Sequence, residues 1–463
     1  MNNSPKTIFL TIFHLLASRN ILGSDVYETL TADPNLRLVI FVPAYKRDFI
    51  EETYGRKNVE IIGIDENNLI NSFPFRFFKY LAWNGSPTYT MKLRAWEILH
   101  KKGGLLAYLE YYFKRFLSLI FGQSRLLRQI LRRLDYWVGR VNRQQIKNYF
   151  QQYQPQLLFV TDIYAEPEVV FLQAAKENRV KSAAMVRSWD NNMTKGILRV
   201  IPDVVITNNE IIKEEIAAIH DVKPETIFVG GIPQYDSLLH GYHSDRQSFF
   251  KKIGADPKKR LILFAPAGYI LSDTDWQICE LLRQGLDQGK IPPDLQFLVR
   301  KHPADPAQLD QFVADERFII EWPGKKFGQR LKVTEFSPED QKHLIDSLFH
   351  SEILIQVNSS IGLDWLALDK PQIMIEFDGW EKKPYIKSVA RFHDEEHMIK
   401  FIDTGAAKVA GSPEELYFWI NRYLENPNLD REKRKLALQQ QYQFLDGQSG
   451  KRIGQFILGL VSS

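Results

Sequence analysis

Residues 187 to 196, Arg187-Ser-Trp-Asp-Asn-Asn-Met-Thr-Lys-Gly196, gather a carboxylate, cations and several hydrogen-bond donors into ten positions. Asp190 could take a proton from an attacking hydroxyl, Lys195 could hold an anion, and Thr194 or Asn191 could donate a hydrogen bond to developing charge. Asp-Asn-Asn chemistry would also make a plain turn, although Trp189 is a costly side chain for one. A second grouping, Arg300-Lys-His-Pro303, follows an apolar run. Two cations (Arg300, Lys301) and an imidazole (His302) can together neutralise and hydrogen-bond a diphosphate, or else form a surface ion-pair cluster. A third is Asn358-Ser359-Ser360, set between the apolar run Ile353 to Val357 and a helical spacing from Gly362 to Leu368. Hydroxyls and open amides at a helix start favour a phosphate, and serines there also cap helices with no ligand at all. At Pro266 to Gly268 another apolar run ends in small residues that let a ligand approach the backbone.

Each grouping needs an element to hold it, and each follows a short apolar run. Ile8 to Phe13, Leu38 to Val42, Val59 to Ile64, Pro155 to Asp162, Val180 to Val186 and, in the second half, Arg260 to Ala265 and Gln296 to Arg300 read as strands. Segments of helical spacing separate most of them, which predicts an α/β fold with parallel sheets. The loop leaving the carboxyl end of a parallel strand faces the ligand crevice. By the same rule Ser18 to Ser24, after the first run, is a candidate for acceptor contact. The segment from Gly241-Tyr-His-Ser-Asp245 to Gly254-Ala-Asp-Pro257 reads as a connection between domains. The expected division is residues 1–240, then 241–440, then a carboxyl-terminal helix over 441–463 that packs back across the cleft.

From about 73 to 150 the texture changes to aromatics interleaved with Arg and Lys. Between Arg76 and Lys147 fifteen Lys and Arg face three acids, so the remainder of this +4 chain is net negative. Leu105 to Phe121 combines helical periodicity with a basic edge, the composition of a helix lying in a bilayer interface or of a helical insertion packed on a sheet. Residues 76–147 are therefore a candidate membrane-surface contact. No helix-turn-helix, zinc-finger or RNA-recognition pattern accompanies the basic residues, so nucleic acid is not an expected partner.

The single cysteine, Cys279, excludes an internal disulfide and any multi-cysteine zinc site. His393-Asp-Glu-Glu-His397 has a spacing that can hold zinc, but its glutamate is misplaced for a zincin and no third ligand is evident, so neither metal nor cofactor is expected. No window reaches the length of a spanning helix, and the expected location is cytoplasmic, peripheral on the inner face of the membrane.

Two α/β halves, with phosphate-friendly loops in the second and a proton-handling loop in the first, resemble the GT-B architecture of sugar-nucleotide glycosyltransferases. Arg300-Lys-His-Pro303, Asn358-Ser-Ser-x-Gly-x-Asp364 followed by Lys370-Pro371, and Asp446-Gly-Gln-Ser-x-x-Arg-Ile453 are similar to motifs of the branch containing CDP-glycerol glycerophosphotransferases and non-hydrolysing UDP-N-acetylglucosamine 2-epimerases. Trp189 to Lys195 lines up with the Trp-His-Gly-Thr-Pro-Leu-Lys loop of the glycerophosphotransferases, Asp190 standing where that loop has its histidine base. The resemblance implies two Rossmann-like domains with parallel sheets facing a central cleft, the basic aromatic helical insertion belonging to the first. It implies a nucleotide-diphosphate donor held by the second domain: Arg300 and His302 near the phosphates, Ser359 and Ser360 bonding them, Asp364 or Glu376 nearer the ribose or base. The first domain would offer a glycan or lipid-linked acceptor to Asp190. The implied activity is a glycosyltransferase of cell-surface polysaccharide or glycolipid synthesis. CDP-glycerol-type glycerophosphotransfer, sugar-nucleotide 2-epimerisation and a non-catalytic nucleotide-binding scaffold are the alternatives.

Overall fold

The computed structural model describes residues 5–302, 309–327 and 334–462, so Pro303 of the Arg300 motif lies outside the described residues. The chain divides into two compact units, 1–236 with 442–463, and 237–441.

The first unit is built on seven strands: β1 (Lys6–Thr11), β2 (Leu36–Pro43), β3 (Val59–Ile64), β4 (Leu157–Val160), β5 (Lys181–Met185), β6 (Val204–Thr207) and β7 (Ile227–Val229), in the order β3-β2-β1-β4-β5-β6-β7 and all parallel. The apolar runs are continuous rather than alternating because both faces of the sheet are covered. Successive residues of β1 go to opposite faces: Ile8 and Leu10 pack with Leu38, Ile40 and Leu157, while Phe9 packs with Val39, Phe41 and Leu158. Each fully buried side chain of this size contributes about 1.5–3 kcal/mol.

Between β3 and β4 lie the helices Phe73–Asn84, Tyr89–Lys102, Gly104–Gln123, Arg125–Val138, Arg140–Arg143 and Lys147–Tyr153. Ser72, Thr88 and Ser124 cap the first, second and fourth by accepting from the amides of Phe75, Met91 and Leu127. Ion pairs join this helical segment to the rest of the unit: Arg128 and Arg132 to Asp221, and Asp135 to Arg199.

The last helix, Ser449–Ser462, belongs to the first unit and packs on helix Asp25–Thr31, where Gly454 leaves room for Thr29. Its first amides, Ser449 and Gly450, donate to the Asp236 carboxylate at 3.1 and 2.7 Å. Gly231, at φ +90°, and Gly230 admit Ser449 and Ile453, which a Cβ at either glycine would meet at 2.4 and 2.5 Å. The Asp446–Ile453 motif thus anchors this helix, with Arg452 pairing with Asp446 and donating to the Gly230 carbonyl.

In the second unit β8 (Arg260–Ala265), β9 (Leu295–Arg300), β10 (Phe318–Glu321), β13 (Ile353–Gln356), β14 (Gln372–Ile375) and β15 (Lys408–Ala410) form a parallel sheet ordered β10-β9-β8-β13-β14-β15. A small antiparallel pair, β11 (Lys325–Lys326) and β12 (Thr334–Glu335), stands apart from it. Leu263 and Phe264 on β8 and Ile355 on β13 are among the residues buried at the centre of the six-stranded sheet.

Candidate active site

In the first unit, neighbouring strands β2, β1, β4 and β5 leave the sheet at one edge, and their exits carry Lys46, His14, Asp162 and Arg187. Arg187 Nε donates to Asp162 Oδ2 at 2.7 Å, both side chains being more than nine-tenths buried. Burial alone would raise the Asp162 carboxyl, but the Arg187 charge and its hydrogen bond outweigh it and hold it below the usual carboxylate range. Burial, reinforced by Arg187 and opposed by Asp162, pulls His14 down to about 3. Its Nδ1 accepts from the Leu16 amide at 3.1 Å, so the neutral ring carries its proton on Nε2. His14 is a hydrogen-bond donor at this edge, not a base.

Glu168, completely buried, receives the Asp162 amide at 2.6 Å. Burial and the neighbouring Asp162 push it well above the ordinary glutamate value. Asp190 is the partly exposed carboxylate of this group. Its two oxygens accept from the Ser188 hydroxyl at 2.5 Å and the Thr194 hydroxyl at 2.9 Å, across the one-turn helix Asn191–Thr194.

The turn rests on a buried relay. His220 Nδ1 accepts from the Leu198 amide, its Nε2 lies 2.9 Å from the Tyr164 hydroxyl, and that hydroxyl donates to Asn192 Oδ1 at 2.8 Å. Burial, aided by Arg132, lowers His220 to about 3. The expected roles of Asn191 and Thr194 as direct substrate donors change accordingly. Asn191 and Thr194 are 1% and 2% exposed, and the Thr194 hydroxyl is committed to Asp190. Trp189 packs on the core behind the loop. Lys195 sits 5.6 Å from the Trp83 ring, and burial followed by the Arg187 charge lowers its pKa. Ser18 to Leu22 forms a single π-helical turn in which Ser18 and Asn20 are buried.

In the second unit the strand exits of β9, β8, β13 and β14 bring His302, Gly268, Asn358–Ser360 and Glu376 to one edge of that sheet. Several residues expected to touch a nucleotide are spent on the protein. Arg300, 5% exposed, is ion-paired with Glu321, which also meets His343 Nε2 at 2.6 Å. The amides of Ala267 and Gly268 donate to the Asp275 carboxylate, Pro266 is buried, and Asp364 is 3% exposed. Lys301 lies over the Trp322 ring at 5.6 Å. What remains presented are His302, Ser360 and Glu376, exposed, with Asn358 and Ser359 half-buried.

His393, dismissed above as half of a metal pair, organises this edge. It is buried, its Nε2 donating to the Val357 carbonyl at 3.0 Å and its Nδ1 lying 3.6 Å from Glu376 Oε1. The neighbouring His393 holds the Glu376 carboxyl below its usual value. Among the described residues no group of three His, Cys, Asp or Glu is arranged to hold a metal. His14, Lys46, Asp162, Arg187 and His393 received no functional role from the sequence, although His14, Asp162 and Arg187 directly follow or close an apolar run and Lys46 lies in the loop after one, where the strand-exit rule points.

The family described as CDP-glycerol:poly(glycerophosphate) glycerophosphotransferase matches residues 175–459. The chain belongs to that family. It is a transferase working from a nucleotide-activated donor. Solved structures of similar fold include S. aureus MnaA with UDP (TM-score 0.56, 11% identity, 99% of this chain and 98% of the other). The UDP-GlcNAc 2-epimerase of Neisseria meningitidis aligns at TM-score 0.58 and 10% identity over 98% and 100% of the two chains. The wall teichoic acid polymerase TagF aligns at 0.53 and 12% over 100% and 90%. At such identities the likeness is one of fold, and it is the GT-B-like fold of two parallel sheets. No curated protein matches the sequence.

Proposed function

We propose that this chain transfers a sugar from a nucleotide-diphosphate donor to a hydroxyl of a glycan or lipid-linked acceptor in cell-surface polymer synthesis. Asp190 takes the acceptor proton as the acceptor oxygen bonds to the anomeric carbon, and the nucleoside diphosphate leaves with the electron pair of the broken bond. One observation carries the reading. At a strand-exit edge where Asp162 is committed to Arg187, Glu168 is completely buried and His14 has no free basic nitrogen, Asp190 is the carboxylate left partly open and oriented by two hydroxyls. Lys46, Arg187 and Lys195 supply positive charge there that suits a phosphate-bearing substrate. Ser359, Ser360, His302 and Glu376 would meet the donor, hydroxyls and imidazole on the phosphates and the carboxylate on ribose hydroxyls.

The family match favours a second reading, transfer of glycerol phosphate from CDP-glycerol. The leaving group separates the two: a nucleoside diphosphate from a sugar donor, CMP from CDP-glycerol. Incubating the protein with labelled donors and resolving the released nucleotides tests both, and release of neither sinks both. Thermal shifts with UDP, CDP, GDP and CMP would choose the donor, since a ligand at about 100 times its Kd stabilises by about 2.7 kcal/mol.

A peripheral membrane location fits helix Gly104–Gln123, whose Leu105, Leu109, Tyr112, Phe116 and Leu119 recur at helical spacing and are 54–82% exposed as a group with Leu106, allowing an apolar face toward a bilayer. Among the described residues no helix is long and apolar enough to cross a membrane. Flotation with vesicles tests this; a Leu105→Asp, Leu109→Asp variant that still floats would refute it.

A further inference from the structure

A cleft of about 860 Å³ opens in the first unit, away from the strand exits just described. Pro202 and Asp203 immediately precede β6 and Thr226 immediately precedes β7, so the cleft lies at the amino edge of the sheet. Its apolar lining comes from Val200, Ile201, Pro202 and Leu134, with the Trp137 ring beside them. Around these stand the cations Arg125, Arg133, Lys176 and Lys223, all exposed. Arg125, Arg133 and Lys223 have no carboxylate partner among the described residues.

Two further arginines of the lining are buried. Arg132 spends its donors on Asp221 and on the carbonyls of Leu198 and His220. Arg199 pairs with Asp135 at 2.7 and 2.8 Å through Nη2 and Nε and stacks over Phe75 at 4.0 Å, yet its Nη1 is buried without a hydrogen-bond partner, in a side chain only 8% exposed. Exposed cations that no carboxylate answers, around an apolar lining, suit an anion, and the buried Arg199 behind them adds to the positive charge.

The helix that forms one wall says what carries the anion. Along Arg125–Val138 and into the next turn, Leu126, Ile130, Leu134, Trp137 and Val141 recur every three or four residues and are 41–78% exposed. Leu134 and Trp137 belong both to this stripe and to the cleft lining. A soluble polyanion would use the cations and leave the stripe in water, whereas a lipid phosphate places its charge on the cations and its apolar body along the stripe. We infer that this cleft binds the phosphate headgroup of an anionic lipid, a site separate from the transferase edge. The inference rests on the membrane-surface reading above and is independent of which group is transferred.

The test uses the full chain and dihexanoyl phosphatidic acid below its micelle concentration, so that no bilayer is needed. Saturable binding read as a tryptophan fluorescence change that vanishes in Trp137→Phe is expected. Arg133→Glu and Lys223→Glu, both at exposed unpaired positions, should each weaken it about 30-fold, from about 1 kcal/mol per surface charge and two charges changed per reversal. Lys251→Glu, in the other unit, controls for net charge and should change it less than twofold. Equal binding of dihexanoyl phosphatidylcholine would reduce the cleft to an apolar groove, and equal binding of inorganic phosphate to a bare phosphate site; either result overturns the inference, as does indifference to the two reversals. The Leu105→Asp, Leu109→Asp variant separates the two readings: it should lose vesicle flotation while retaining the soluble lipid, and failure of flotation alone would count only against the surface reading.

Discussion

Replacing Asp221 by asparagine tests the electrostatic joint that holds the helical segment to the first sheet. Asp221 follows helix Glu210–His220 at φ +64° and accepts from Arg128 Nε and Nη2 at 2.8 and 2.5 Å and from Arg132 Nη1 at 2.7 Å. The three side chains are 6%, 8% and 10% exposed. Asparagine keeps the shape and tolerates the left-handed backbone, so the substitution removes charge and little else. It leaves two buried guanidinium groups facing a neutral amide, and taking one partner from a buried ionic group typically costs about 3–5 kcal/mol. Against a usual total of about 5–15 kcal/mol that is a large loss. Urea unfolding should read it as a lowered midpoint, with amide exchange accelerated first in Arg125–Val138. The pH dependence has a definite sign. Burial would raise Asp221, but Arg128 and Arg132 outweigh it and hold the carboxyl below its ordinary value. Its contribution is therefore present above the unfolded-state value of about 3.9 and is lost as the pH falls through the folded-state value. The gap between wild type and variant should narrow in acid. A cost below about 1 kcal/mol, or a gap that acid does not narrow, would refute the reasoning.

Asp190→Asn should lower turnover by about 100- to 10,000-fold with nucleotide affinity unchanged within about twofold, and near-normal turnover would remove Asp190 from the chemistry. The His14 ring, held neutral by burial with a pKa of about 3, should show no titration between about pH 5 and 8 in imidazole NMR spectra. Glu168→Gln should not destabilise the protein at neutral pH. Because the folded-state pKa of Glu168 is raised, its contribution is full below the unfolded value and is lost as pH rises, a slope in thermal unfolding that glutamine removes. Gly231→Ala should cost more than about 1–2 kcal/mol by thermal unfolding, since alanine disfavours φ +90° and its Cβ meets Ser449 Oγ at 2.4 Å; Ser449→Ala added to it should not restore stability, the backbone strain remaining.

The strands were legible because a parallel strand buried on both faces must be apolar at every position, which leaves runs such as Ile8–Phe13 and Ile353–Val357 unmistakable. The strand-exit rule then located the loops, including Arg187–Gly196 and Asn358–Ser360. What it could not supply was the partner of each side chain. Arg300 looks like a phosphate ligand until Glu321, 21 residues on and paired with it across the parallel register of β9 and β10, takes up its charge. Gly268 looks like a place for close ligand approach until Asp275 fills it. His393 was weighed against His397 by spacing alone, whereas its function follows from the Val357 carbonyl and Glu376, which the sequence places 36 and 17 residues away.

The same difference between composition and field governs the basic segment. Its fifteen cations between residues 76 and 147 suggest a uniformly positive surface, yet a number of them are answered by acids that lie outside the segment: Lys79 by Glu166, Arg128 and Arg132 by Asp221, Arg143 by Glu177. Asp135 in turn is taken by Arg199 from outside, and Glu110 by Lys102 and Lys114 from within. The buried pairs among these, Arg128 and Arg132 with Asp221 and Asp135 with Arg199, fix the helices on the sheet, and a paired charge adds little to the long-range field. The positive charge that can act on a partner is carried by exposed residues without such answers, among them Arg115, Arg125 and Arg133. Two of those three line the amino-edge cleft, next to the apolar stripe of the same helix. The net charge of the segment therefore overstates how basic its surface is: part of it is spent in pairs, while Arg125 and Arg133 stay open beside the exposed apolar side chains of the same helix, the arrangement on which the lipid inference above is tested.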